Sequence, residues 1–189
     1  MNQITRRGFV KATAVASVAV GAPSILSAQN AGNKLHIAYV GVGGKGATDL
    51  GATSSHKKTV TVALCDTDKN ILNGQLRSKT KAGKKNFTQA KGFTDWREML
   101  DKLGNKIDAV VCSTPDHMHA PVCVSAMNLG KHIYCQKPLT WSVYESRRMA
   151  EISKDKGVIT QMGTQNASKQ GKQLGVELLK ANVLGKVKK

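Results

Sequence analysis

The chain has 189 residues, about one domain's length, and its 40% hydrophobic content is enough to bury a core. Twenty-nine Lys and Arg against 12 Asp and Glu give a net charge of +17, a balance that points first to nucleic acid, anionic lipid or a phosphorylated ligand. The basic residues are nevertheless scattered, apart from "KTKAGKK" at 79–85 and a terminal "KVKK". Aromatic residues make up only 4% of the chain, so it lacks a stacking platform for single strands, and nucleic acid is not an expected partner.

Segment 1–28 reads as a leader and not as part of a fold. "TRRGFVK" is followed by "ATAVASVAVGAPSILSA", an apolar run without acidic residues that ends in small residues near Ala28. Arg6 and Arg7, with Phe9 and Lys11 behind them, resemble the twin-arginine signal, which predicts export to the periplasm. That route carries proteins already folded, often with a cofactor bound. The run is too weakly apolar for a stable span, which takes about 20 strongly apolar residues. An uncleaved amphipathic anchor is the other reading.

From Lys34 onward short apolar runs alternate with longer amphipathic ones. "LHIAYV" (35–40), "TVTVALC" (59–65), "IDAVVCS" (107–113), "HIYC" (132–135) and "GVITQMG" (157–163) read as strands, with a weaker one between Phe87 and Phe93. Between them, Trp96, Met99, Leu100 and Leu103 fall at i, i+3, i+4 and i+7, one stripe of a helix. "APVCVSAMNLGK" is a nearly all-apolar helix with Pro121 in its first turn and Gly130 as its stop. "SVYESRRMAEISKDKG" is another, closing at Gly157. Near-continuous apolar strands alternating with helices predict an α/β fold, a doubly wound parallel sheet of Rossmann type over 34–163. In such folds ligands bind outside the carboxyl ends of the strands, where the strand order reverses.

The four cysteines, Cys65, Cys112, Cys123 and Cys135, include no CxxC pair and no zinc spacing. Three fall in or at the end of apolar strands, where free thiols pack as small hydrophobes. His117 and His119 are two apart and point in different directions on a helix, so no metal site is expected.

The strand-end residues carry the chemistry. Gly41, Gly43, Gly44 and Gly46 lie in "GVGGKG", a G-x-G-x-x-G stretch between a strand and a helix, the context in which glycines admit a pyrophosphate to a helix N-terminus. Lys45 would add charge if it faced the phosphates. Asp66 ends the second strand 20 positions after Gly46, where a carboxylate accepts the adenosine ribose hydroxyls and disfavours a 2′-phosphate; NAD is therefore expected over NADP. In "CSTPDHMHA", His119 opens a helix at a strand's carboxyl end and can either reach a ligand or cap that helix. In "KHIYCQKPLT", Pro138 biases Lys137 toward extended backbone at the rim of the crevice. A partly desolvated lysine there can hydrogen-bond a substrate hydroxyl and take its proton as hydride leaves.

The ordered set "GVGGKG", "LCDTD", "STPDHMHA", "GKHIYCQKPLT" and "MGTQNAS" resembles the N-terminal half of the Gfo/Idh/MocA oxidoreductases, from about Lys34 onward. The resemblance implies that Thr114 and Pro115 line the nicotinamide side and that Gln136 lies beside it. It also implies that Lys137 is catalytic with His119 assisting, and that the Lys137–Pro138 bond is cis. Sugars, cyclitols and related polyols are the implied substrates.

Two departures stand out. Gln136 replaces the family's usual glutamate, and the chain stops at "LLKANVLGKVKK", where the family leads into a substrate domain. Segment 164–189 is accordingly expected to be a helix and the start of that connection, in a truncated product or fragment, with homo-oligomers expected only where the second domain is present. Hydride transfer between a polyol and NAD is the expected activity. A redox-neutral, NAD-dependent glycoside hydrolase and a non-catalytic NAD-binding module are the alternatives.

Overall fold

The computed structural model describes residues 34–77, 87, 89–183 and 185; the leader read at 1–28 and the "KTKAGKK" run lie outside them. Six strands form one sheet: β1 (Leu35–Val40), β2 (Thr59–Cys65), β3 (Lys91–Phe93), β4 (Ala109–Cys112), β5 (His132–Gln136) and β6 (Thr160–Gly163). All pair in parallel, in the order β3-β2-β1-β4-β5-β6. This is the doubly wound Rossmann order, in which the direction of winding reverses between β1 and β4.

Period-two alternation sends successive strand side chains to opposite faces, and both faces are covered. Ile37 and Tyr39 of β1 pack with Leu64 and Val111 against Leu50 of α1 (Gly44–Ser54) and Leu72 of α2 (Lys69–Arg77). Ala38 and Val40 face the other way, with Ala63, Val110 and Ile133. Their cover is Met99 and Leu103 of α3 (Trp96–Leu103), Val122 and Met127 of α4 (His119–Asn128), and Met149 and Ile152 of α5 (Val143–Lys156). Burial on both faces is why the strands read as apolar runs and not as strict alternation.

Helix boundaries follow their sequence signals. Asp95 caps α3 by accepting from the Arg97 N–H at 2.8 Å, which satisfies a first-turn donor. Ser142 and Glu145 form a reciprocal capping box at the start of α5, and Gly157 ends that helix in the left-handed region at φ 63°. The last strand starts later than the sequence suggests, at Thr160 instead of Gly157. Gly157 serves as the helix cap, and the Val158 N–H turns back to the Ser153 carbonyl at 3.1 Å. The weak strand shrinks to Lys91–Phe93. Within 164–189 a helix, α6 (Gln170–Lys180), is present with no buried residue; Leu174 and Leu179 are 54% and 51% exposed.

Candidate dinucleotide site

The glycine loop leaves β1 and crosses directly over the end of β4. Gly41 has φ +78°, and a side chain there would lie 2.8 Å from the Ser113 carbonyl, so neither the turn nor the crossing admits a Cβ. At Gly46 a Cβ would sit 1.9 Å from the Gly41 carbonyl oxygen, which welds the start of α1 to the loop. Gly43 is the N-cap of α1 and makes no side-chain cap, and the first turn carries no acid. Beside it Gly44 faces open space. The first-turn N–H groups thus lie beside two glycines, Gly44 open and Gly43 with the Ile71 side chain 3.1 Å from where a Cβ would sit, a cradle that suits a pyrophosphate.

Asp66 stands across this loop, half-buried. Its Oδ2 accepts from the Val42 N–H at 2.9 Å, and its Oδ1 accepts from the Asp68 N–H at 3.0 Å. The carboxylate therefore holds the loop in place while each oxygen keeps a lone pair for a ribose hydroxyl. The expected loop and acid come together as read.

Asp49 was invisible to the sequence reading, and it organises the switch point. The residue is 5% exposed. Ser113 Oγ donates to Asp49 Oδ2 at 2.8 Å, and Gln136 Nε2 donates to the same oxygen at 2.7 Å. Lys45 pairs with Oδ1. Lys45 is thus turned back along α1 toward this carboxylate, whereas its sequence position suggested a phosphate contact. The i,i+4 spacing of Lys45 and Asp49 reads as an ordinary surface pair, and the partner that buries it is 87 positions away. Gln136 Oε1 in turn accepts from the Lys137 N–H at 3.3 Å, so one buried carboxylate sets the entry to the lysine loop.

Thr114, Pro115, His119, Lys137 and Pro138 meet at the carboxyl edge between β4 and β5. His119 is 1% exposed, with Nδ1 2.7 Å from the Pro138 carbonyl oxygen and Nε2 2.8 Å from that of Thr114. A neutral imidazole carries one N–H, so His119 donates to one of these two carbonyls while its other nitrogen lies against the second, and the ring sits between the two loops. The residue expected to assist the chemistry is thus enclosed between the Thr114 and Pro138 loops, 1% exposed. The Lys137–Pro138 peptide is cis. Lys137 itself is exposed, so the partial desolvation read from its position is not supplied by the described residues around it. Pro115 and His117 are also exposed. A surface cavity of about 750 Å³ lined by Trp96, Leu100, Asn128 and Leu129 lies elsewhere, along α3 and beside the C-terminal end of α4.

Residues 35–164 match the oxidoreductase family described as NAD-binding Rossmann fold. A glycosyl hydrolase family 109 protein of Stenotrophomonas maltophilia is 32% identical over 142 residues, which are 72% of this chain and 30% of that protein. The scyllo-inositol 2-dehydrogenase (NAD(+)) of Bacillus subtilis is 40% identical over 76 residues, 38% of this chain and 22% of that protein. Among solved structures, myo-inositol 2-dehydrogenase from Lactobacillus plantarum superposes with a TM-score of 0.69 at 23% identity, covering 82% of this chain and 43% of that one. The chain spans less than half the length of these relatives. With the glycine cradle and Asp66 in place, NAD is the cofactor, and the chain belongs to the Gfo/Idh/MocA oxidoreductase family as its NAD-binding Rossmann domain.

Proposed function

We propose that this chain is the cofactor half of an exported enzyme that oxidises a secondary hydroxyl of a sugar, cyclitol or related polyol. The observation that carries the reading is the placement of Lys137. It directly follows β5 at the carboxyl edge, in a loop tied to the Thr114 segment by His119 and to the glycine helix by Gln136 and Asp49. Bound NAD supplies the hydride acceptor. The Lys137 amine accepts the proton that the substrate hydroxyl loses, and bound substrate excludes the water that otherwise solvates this exposed side chain. Thr114 and Pro115 border the same edge, and Asp66 holds the adenosine end with a preference against a 2′-phosphate. The inositol dehydrogenases among its relatives support a cyclitol or sugar as the substrate class.

A second reading is favoured by the Stenotrophomonas relative, whose name is that of a glycoside hydrolase family. In that reading the same site serves redox-neutral, NAD-dependent glycoside cleavage. One experiment separates the two, made on the protein as its gene encodes it. Inositols and simple glycosides are supplied with NAD while NADH absorbance and free sugar are followed together. Steady NADH accumulation that Lys137→Met abolishes without loss of NAD affinity supports the dehydrogenase. Sugar release without net NADH supports the hydrolase. Turnover unchanged in Lys137→Met removes the lysine from either chemistry.

A further inference from the structure

Three of the four cysteines converge at one point in the core. Cys112 ends β4, Cys135 lies beside it in register on β5, and Cys123 comes from the second turn of α4 packed above them. All three are 0% exposed, and their sulfurs lie within 4.8 Å of one another. The spacing along the chain gives no hint of this, because sheet register and a crossover helix bring the thiols together. Cys65 lies on β2 and is not part of the group.

We propose that Cys112, Cys123 and Cys135 form a buried three-coordinate thiolate site for a soft monovalent cation of the copper(I) class. Geometry carries the case. Three sulfurs spaced at most 4.8 Å apart enclose a centre no more than about 2.8 Å from each, against a metal–thiolate bond of about 2.3 Å. An ion therefore fits after small side-chain adjustments, without moving a strand. Sulfur-only ligation selects soft ions. Zinc is the poorer match because it takes a fourth ligand. Two oxygens already engage the thiols, the Thr114 hydroxyl 3.3 Å from Cys112 Sγ and the Leu139 carbonyl, which accepts from Cys135 Sγ at 3.7 Å.

Entry is from the carboxyl edge of the sheet, where half-buried Thr114 and Leu139 roof the cluster. The site is a shell beneath the dinucleotide crevice and does not depend on the substrate proposed above. Binding is a ligand exchange: copper leaves its carrier, forms three Cu–S bonds, and displaces thiol protons to solvent without change of oxidation state.

The test uses the whole chain, reduced and free of oxygen, with copper(I) offered as its complex with excess colorimetric chelator. The expected result is one copper withdrawn per chain, and X-ray absorption of that copper showing three sulfur neighbours. Cys123→Ser weakens retention by at least about a hundredfold, since loss of an outer-shell partner alone costs about 10–100-fold, while Cys65→Ser leaves it unchanged. Because Cys123→Ser places a hydroxyl in the core, Cys135→Ala is read alongside it, and circular dichroism checks that both fold. The sulfur count on the unsubstituted chain stands independently of any variant. Copper left with the chelator overturns the proposal, as does copper bound through fewer than three sulfurs or retained equally by the cluster variants.

Discussion

Gln136 Nε2 donates to Asp49 Oδ2 across 2.7 Å in a buried contact that joins the end of β5 to α1. This bond gives a physical reason for the departure from the family's usual glutamate. A carboxylate at 136 would face the carboxylate of Asp49, and two such groups in contact in the core cannot both ionise cheaply. An amide supplies the donor that Asp49 needs.

Gln136→Glu is therefore expected to destabilise the fold by about 2–3 kcal/mol at neutral pH, the scale of a buried charge left without its partner. The sign with pH follows from linkage. Like-charge contact raises the folded-state pKa of the new pair above its unfolded value, so the folded state holds an extra proton. Stability is least affected below the carboxylate range and falls as pH rises through it. Urea denaturation at acid and neutral pH measures this, and adding Asp49→Asn recovers much of the loss. Equal stability at both pH values would sink the argument.

Gly46 and Gly51 lie in the same helix and should respond in opposite ways. A methyl group at Gly46 would overlap the Gly41 carbonyl at 1.9 Å, so Gly46→Ala must push the loop off β4. NAD affinity is expected to fall by more than roughly tenfold, the scale on which misplaced binding groups act. At Gly51 a Cβ meets nothing within 4 Å, and Gly51→Ala should stabilise by about 0.5–1 kcal/mol through helix propensity alone. NADH fluorescence titration and urea denaturation together read the pair.

Most of this sheet was legible in the sequence because both of its faces are buried, which turns strands into apolar runs and leaves glycine and capping residues as punctuation. The loop at Gly41–Gly46 and the acid at Asp66 were legible for a further reason. Their roles depend on local geometry, a tight turn and a strand end, that a few consecutive residues determine. Asp49 and the clamp role of His119 were not. Asp49 owes its burial to Ser113 and Gln136, 64 and 87 positions away, and His119 lies between carbonyls of two separate loops. The cysteine cluster is hidden in the same way, since register between β4 and β5 makes neighbours of residues that no spacing rule pairs.

Asp66 carries the cofactor preference, and its charge can be removed with little change of shape. Asp66→Asn keeps one carbonyl oxygen for the Val42 or Asp68 N–H but no longer repels a 2′-phosphate. The ratio of NAD to NADP affinity, measured by calorimetry, should fall by about tenfold, the value of roughly 1.4 kcal/mol. A ratio that stays fixed would place discrimination elsewhere in the loop.

Burial, with the adjacent Asp66 carboxylate second, pushes the Cys65 thiol up to about 12 from its ordinary value of 9.0. Between those two values the unfolded chain has released this proton and the folded chain has kept it, so stability falls as pH rises across the window. The limiting slope is about 1.4 kcal/mol per pH unit for one proton. Cys65→Ala removes this one contribution, and its stability should decline less steeply than that of the parent between about pH 8.5 and about pH 10.5.

His119 holds two backbone carbonyls that have no other reason to lie close together. The Thr114 carbonyl is 2.8 Å from Nε2 and the Pro138 carbonyl 2.7 Å from Nδ1, in a site only 1% exposed. His119→Phe fills the space but cannot donate, and the buried carbonyl that loses its N–H partner costs about 1–3 kcal/mol. The expected loss is therefore about 1–3 kcal/mol, with faster amide exchange confined to 113–118 and 137–140. His119→Asn can still donate to one of the two carbonyls and should recover part of the stability. Were the phenylalanine variant as stable as the parent, with exchange unchanged in both segments, the imidazole would not be what joins the Thr114 loop to the loop that carries Lys137.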